Sequence, residues 1–154
     1  MKPFSGKSWD PIFKNLPDTH PREYIIIGKE RHDVGRENDQ GYPVRGIIEG
    51  SYFYSQNFKP DRWPSGNPET GYLNTDGSPT KTEILNLHRQ GKDSTYWNYA
   101  FGKRPPEELY NIEKDPECLK NLAFDESYSS IKKSLKDKLI GDLKKQGDPR
   151  VLGN

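Results

Sequence analysis

Cysteine is nearly absent. Cys118 stands alone in 154 residues, which excludes a disulfide within the chain. A single thiol reads as a small, partly buried residue in a helical turn before it reads as a nucleophile. Long apolar runs are missing as well. None approaches the roughly 18 residues of a membrane span, so no membrane partner is expected. Residues 1–9 lack the apolar stretch of a signal peptide, and the cellular address stays open. Neither charge sign dominates: 24 basic and 23 acidic residues leave a net charge of +1, so nothing draws the whole chain toward nucleic acid. His20, His32 and His88 have no metal-ligand spacing and no cysteine pair to join them, so no metal site is expected here. Hydrophobic residues reach only 30%, with a mean hydropathy of −1.09.

What is present argues for a folded chain all the same. Aromatics make up 12%, and disordered chains are poor in them. With 14 glycines and 13 prolines, the expectation is a thinly cored domain with many turns and long loops. Trp9, Ile12, Phe13 and Leu16 sit at helical spacing, so a short helix is predicted over 8–15, with an apolar side that needs a surface to pack on. Residues 23–28 are a β-branched run of strand length, apolar on both faces. That pattern implies burial on both sides, which in so polar a chain would make sense against a neighbouring domain. A charged loop follows over 29–41. Strands over 42–49 and 52–58, joined by Gly50-Ser51, should form an antiparallel hairpin.

Residues 59–77 read as a long loop that Trp63 and Tyr72 could pack. Ser78 and Pro79 open a helix as cap and first residue, with Ile84, Leu85, Leu87 and His88 on its apolar side and Gly91 at its end. Asp93 or Ser94 caps a second, aromatic helix that stops at Gly102. A fourth strand is expected over 107–112, ended by Asp115-Pro116. The last helix is expected over 125–146. There Tyr128, Ile131, Leu135, Leu139 and Leu143 recur at three- and four-residue steps and form one stripe. The fold class is therefore α+β: a small antiparallel sheet of about four strands, packed against a long C-terminal amphipathic helix.

The segment 104–123 carries the pattern Glu108-Leu-Tyr-Asn111, Asp115-Pro116, Asn121-Leu-Ala123. It resembles the tail of the sulfatase family, within the alkaline-phosphatase-like superfamily. Gly6-Lys7-Ser8 is similar to the segment that follows the catalytic domain in bacterial sulfatases. Residues 21–33 and 41–47 resemble a strand, its active-site-facing loop and the first hairpin strand of their C-terminal subdomain. Residues 58–72 and 76–81 resemble the branch called heparan N-sulfatase, or N-sulfoglucosamine sulfohydrolase-like. The resemblance implies residues 1–22 as a linker from a catalytic domain and residues 23–154 as a sulfatase C-terminal subdomain. In that family a Cys/Ser-x-Pro-x-Arg motif yields formylglycine, whose hydrate attacks sulfur. A divalent cation, usually calcium, neutralises the sulfate, because an anion yields to a nucleophile only where positive charge is preorganised.

This chain departs from that pattern. Cys118 is followed by Leu119, Lys120 and Asn121, and Ser8, Ser65 and Ser78 are not followed by x-Pro-x-Arg either. No Asp-Asp pair opens a strand. Calcium and formylglycine would thus lie in a catalytic domain outside this chain, which would be inactive alone. His32, between Arg31 and Asp33 in the charged loop, is the first candidate to touch a sugar or its sulfo group, with Arg31 and Arg36 as further substrate-binding candidates. A solvated surface loop is the plainer alternative. The last helix sets Lys132, Lys133, Lys136, Lys138, Lys144 and Lys145 against Glu126, Asp137 and Asp142; it reads as the wet face of an amphipathic helix or as a polyanion surface. Two expectations follow: a sulfatase subdomain whose partners are a catalytic domain and a sulfated glycan, or a free-standing module for sulfated glycans or polyanions.

Overall fold

A computed structural model describes residues 8–17, 22–31, 36–70 and 75–153. The strands are β1 (Tyr24–Lys29), β2 (Val44–Glu49), β3 (Tyr52–Asn57) and β4 (Glu107–Asn111). They form one antiparallel sheet in sequence order. The helices are α1 (Asp10–Phe13), α2 (Pro79–Arg89), α3 (Thr95–Phe101), α4 (Ser129–Gln146) and α5 (Pro149–Leu152). The two residues Gly50 and Ser51 join β2 to β3, and Gly50 takes φ +54°, the left-handed region that glycine enters without strain.

Register explains how so polar a sequence makes a core. Residues that oppose one another across antiparallel strands share a face. Tyr24 faces Glu49, Ile26 faces Ile47, Ile47 faces Tyr54, and Tyr54 faces Leu109. On that face Ile47, Tyr54 and Leu109 are fully buried beneath Leu135, Leu139 and Leu143 of α4, with Leu122 and Ala123 closing one side. The helical stripe read from the sequence is the one that meets the sheet. Tyr128 and Ile131 pack at its margin, where the Tyr128 ring stands edge-on to Tyr52 at 6.3 Å.

α4 is also pinned by polar contacts at the rim. The Tyr24 hydroxyl donates to Asp142 Oδ2 at 2.5 Å. The Tyr54 hydroxyl donates to Glu107 Oε1 at 2.7 Å, and Lys136 Nζ reaches the same oxygen at 2.9 Å. Burial pushes the Glu107 carboxyl up, but the Tyr54 and Lys136 hydrogen bonds outweigh it and hold the group below its ordinary value. Lys138 pairs with Glu49, Lys132 lies near Glu107 and donates to Ala123 O, and Lys133 and Lys145 pair with Asp137 and Asp142. Most of the helix lysines are spent on carboxylates, which disfavours the polyanion surface.

The segment after β4 is stitched to the sheet by side chains that imitate a strand. Asn121 Oδ1 accepts from the backbone N–H groups of Leu109 (3.0 Å) and Ala123 (2.9 Å), while its Nδ2 donates to Glu107 O (3.1 Å). Leu122 N–H donates to Leu109 O at 2.8 Å. Asn111 Oδ1 accepts from the N–H groups of Glu113 and Lys114, and the Asp115 carboxylate accepts from those of Leu119 and Lys120. Asn111, Asp115 and Asn121 of the 108–123 pattern thus each satisfy backbone donors in a chain reversal. Asn121→Ala strands the Leu109 amide, so unfolding free energy is expected to fall by about 1–3 kcal/mol, as measured by denaturant titration. An unchanged midpoint would show that water replaces the Asn121 oxygen at no cost.

The structure differs from the sequence reading at three places. The residues around Cys118 form a turn rather than a helical one, with Cys118 itself at φ +54°. Burial, followed by Asp115 and other nearby carboxylates, raises its thiol above the ordinary value, the reverse of an activated nucleophile. A short helix, α5, follows the end of α4, capped by the Asp148 carboxylate accepting from Arg150 N at 2.9 Å. It escaped notice because Gly147 and Pro149 read as a stop signal, whereas Pro149 begins the next helix. Finally, β1 is covered on only one face among the described residues.

Candidate functional site

One end of the sheet collects the loops that matter. β1 ends there at Lys29, β2 begins at Val44, β3 ends at Asn57 and β4 begins at Glu107, with Lys29 opposite Val44 and Val44 opposite Asn57. The loop between β1 and β2 is closed at its base by Tyr42 N–H donating to Glu30 O at 2.8 Å. Gly41 permits that approach, since a Cβ there would sit 2.9 Å from the Glu30 oxygen. Tyr42 is buried, accepts from Asn57 Nδ2 at 2.8 Å, and has its hydroxyl pKa pushed up to about 12, mainly by burial.

Arg31, His32 and Arg36, the substrate-binding candidates of the sequence, lie on this loop. Arg31 is exposed and pairs with Asp39 at 2.5 Å. His32 lies outside the described residues, as does Tyr72. Arg36 is buried at 6% exposure: Nε donates to Trp63 O at 2.7 Å, Nη2 donates to Pro64 O, and the guanidinium carbon stands 5.1 Å from the Tyr42 ring centre. Burial lowers its pKa, and Arg62 lowers it further against the opposing influence of Tyr42. Partial desolvation, then the Arg36 charge, lower Lys29 in turn. Arg62 Nη1 donates to Gly41 O at 2.8 Å. Arg36 and Arg62 thus lie beside Tyr42, and neither they nor Lys29 has a carboxylate partner among the described residues.

Aromatics support these arginines from behind. The Trp63 ring is edge-on to Trp97 at 5.8 Å, Trp97 stacks on His88 at 4.1 Å, and Lys103 Nζ lies 5.0 Å from the Trp63 ring centre. His88 Nδ1 is 2.9 Å from Ser94 Oγ. Trp63 does hold its own long loop, as the sequence suggested, but it does so against α3. The role of Trp97 and His88 as its seat was not legible, because their contact depends on how α2 and α3 meet.

The loop is also fastened to the C-terminus. Glu30 receives Arg150 Nε at 2.8 Å and Arg45 Nη2 at 3.0 Å, while Arg45 Nε donates to Asp148 Oδ2 at 2.7 Å. Arg45 reaches both by lying across β1 at Gly28, where a Cβ would sit 2.9 Å from Arg45 Cδ. The Arg150 hydrogen bond is the main cause holding the Glu30 carboxyl below its ordinary value. Burial raises Asp148, but the hydrogen bonds from Arg45 and Arg150 N–H leave it depressed.

The other face of the sheet is apolar and open at its β1 side, while Tyr110 and Ser55 on its far side are buried. Ile25 opposes Ile48, Ile48 opposes Phe53, and Phe53 opposes Tyr110, with Ile27 opposite Gly46 in the next row. Ile25 is 52% and Ile27 45% exposed. The Phe53 ring lies over Gly46, whose Cβ would meet it at 2.7 Å. A depression of about 170 Å³ is bounded by Ile27, Gly28, Lys29, Val44, Gly46 and Phe53. Phe13 of α1 is likewise 81% exposed, and Trp9, which precedes the helix and lies beneath Arg22, is 58% exposed. Ile27→Asp is expected to change unfolding free energy by less than about 1 kcal/mol, because its side chain is half in water already. Thermal unfolding checks this, and a larger loss would mean that the chain itself buries the face.

Among the described residues, no group of three His, Cys, Asp or Glu side chains could hold a metal ion. With the only cysteine in a turn and its thiol raised, the donor set fits neither calcium nor formylglycine, and no step through either follows from these residues. No helix among them is long and apolar enough to cross a membrane.

No family model matches the chain. An ulvan-active sulfatase of Formosa agariphila is 29% identical over 136 residues, which span 85% of this chain and 21% of that protein. An uncharacterized protein of Haemophilus influenzae is 43% identical over 42 residues, 27% of this chain and 22% of its own length. Among solved structures, a 2-O GAG sulfatase superposes with a TM-score of 0.55 and 17% identity over 94% of this chain and 21% of that one. A Bacteroides thetaiotaomicron protein assigned to the sulfatases gives 0.55, 18%, 94% and 21%. The chain resembles sulfatases in sequence, and its fold occurs in two of them. It spans about a fifth of the length of the relatives it matches.

Proposed function

We propose that this chain is the C-terminal portion of a sulfatase-type hydrolase acting on sulfated sugars, with residues 1–22 as the link to a catalytic domain and residues 23–154 as the subdomain. The catalytic domain carries the formylglycine nucleophile and calcium. This portion supplies a wall of the substrate pocket and stability, and is inactive alone. The observation that carries the reading is the open sheet face: Ile25 and Ile27 sit half in water beside Ile48 and Phe53, in a chain with little apolar surface to spare. Coverage of about a fifth of the sulfatase relatives supports it.

The loop bearing Arg31, His32 and Arg36 then faces the sugar, and an N-sulfo group of the heparan type is the proposed substrate feature, on the strength of residues 58–72 and 76–81. Lys29, Arg36 and Arg62, without carboxylate partners among the described residues, favour a second reading, a free-standing module for sulfated glycans. Reading the DNA upstream of Met1 in all three frames separates the two. A frame encoding Cys/Ser-x-Pro-x-Arg and an Asp-Asp pair is the expected result. Its absence would overturn the sulfatase reading and leave the module.

A further inference from the structure

The sheet has two edge strands, β1 and β4, and they are finished differently. The β4 edge is closed by its own chain: Asn121 Oδ1 accepts from the Leu109 N–H, and Leu122 N–H donates to Leu109 O. Which groups β1 turns outward follows from the alternation of antiparallel ladders. Phe58 N–H donates to Pro43 O at 3.1 Å, which continues the β2–β3 pairing and turns the odd-numbered residues of β2 toward β3. Val44, Gly46 and Ile48 are then left to bond Lys29, Ile27 and Ile25 of β1. The backbone groups of Tyr24, Ile26 and Gly28 point away from the sheet, and among the described residues none hydrogen-bonds to them. The strand carries three isoleucines and no proline, so it is an edge that can accept a further strand.

We infer that the β1 edge is an interface between two copies of this chain, paired as antiparallel strands about a two-fold axis at Ile26. The side chains select that register. With Ile26 opposite Ile26 of the second copy, Ile25 meets Ile27, Tyr24 meets Gly28, and Glu23 meets Lys29. The half-exposed isoleucines then cover one another, and Tyr24 faces the one strand residue without a side chain. Glu23 and Lys29 are exposed, and neither is in an ion pair among the described residues; opposite charges facing across antiparallel strands attract. Sliding the strands by two residues would set Ile25 against Lys29 or Ile27 against Glu23, and both ion pairs would be lost. In the chosen register the outward groups of Ile26 bond each other, and those of Tyr24 bond those of Gly28 at either side. Two sheets become one continuous sheet. The pairing uses the edge and leaves the open face free to dock, so it does not rest on the sulfatase reading.

Sedimentation of the full chain should show a monomer–dimer equilibrium, and hydrogen exchange reads the edge itself. The amides of Tyr24, Ile26 and Gly28 should slow roughly tenfold or more between dilute and concentrated protein, while those of Ile25, Ile27 and Lys29, already bonded to β2, should change far less. Association through the open face would give no such alternation. Glu23→Lys alone, or Lys29→Glu alone, sets like charges opposite one another twice and should weaken the dimer roughly tenfold. The two substitutions together should restore it. Both positions are exposed, so the variants keep the fold. A monomer at every concentration up to about 1 mM, or a dimer whose Ile26 amide exchanges as fast as the monomer's, would overturn the edge pairing. So would single charge swaps without effect, or a double swap no better than either one.

Discussion

Leu139→Ala is expected to lower Tm by roughly 5–15 °C, the shift that follows from a loss of about 2–5 kcal/mol in a chain of this size. Leu139 is fully buried, and it lies over Ile47, Tyr54 and Leu109, which are also at 0% exposure. Its removal opens a void bounded on one side by a sheet that cannot follow, since Tyr54 is tied to Glu107 and Glu107 to Lys136. Interiors are packed densely enough that such a void stays largely open. Hydrophobic residues are only 30% of the chain, so little other apolar burial remains to offset the loss. Leu119→Ala provides the contrast: Leu119 is 54% exposed, and its Tm should stay within about 2 °C. Differential scanning calorimetry reads both. Equal effects at the two positions would mean that the face of α4 that meets the sheet has been misplaced.

Arg45→Met should cost on the order of 3 kcal/mol, because it leaves two carboxylates without the cation between them. The Arg45 and Asp148 side chains are 12% and 14% exposed, too dry for water to replace the lost partner fully. The loss should be accompanied by faster amide exchange at Tyr42, whose N–H closes the loop on Glu30 O, since Glu30 would lose one of its two anchors. The network also has a pH signature. Glu30 and Asp148 are both held below their ordinary values, so they are ionised more readily in the folded chain than in the unfolded one. The stability they confer is fully present above the unfolded values near about pH 4, and it disappears as pH falls through the lower, folded values. Wild-type stability should therefore decline in acid more steeply than that of Arg45→Met. Parallel pH profiles would contradict this assignment.

Much of the fold could be read from residues whose effects are local. The Leu135, Leu139 and Leu143 stripe, the Ser78 and Pro79 helix start, the Gly50-Ser51 turn and the four strands all depend on nearest neighbours or on a single period, and the observed elements agree with them to within a few residues. Asn121 was visible as part of a pattern but not as the side chain that completes the β4 edge, because that contact spans 12 residues. The Glu30, Arg45, Asp148 and Arg150 network joins positions more than 100 residues apart, and no local signal announces it. Gly28 and Gly46 looked like ordinary strand glycines; each proves to be a place where a side chain from the next strand crosses.

The candidate site divides in the same way. A charged loop after β1 was evident, and Arg31 and Arg36 were named from it. Charge alone did not distinguish an exposed arginine paired with Asp39 from a buried one seated on Trp63 and Pro64. The apolar character of both faces of β1 was also plain. That one of them is left open, with Ile25 and Ile27 half exposed, depends on where α4 and the loops settle.

The central proposal is that the exposed β1 side of this face docks on a sulfatase catalytic domain. The direct measurement is co-expression of the chain with the proposed sulfatase catalytic domain, followed by co-purification and sulfatase turnover, for wild type and for Ile27→Asp. The account predicts a wild-type complex that hydrolyses a sulfated sugar, no turnover by the chain alone, and loss of the complex with Ile27→Asp although that variant remains folded. A catalytic domain that neither binds the wild-type chain nor gains activity from it would contradict the account.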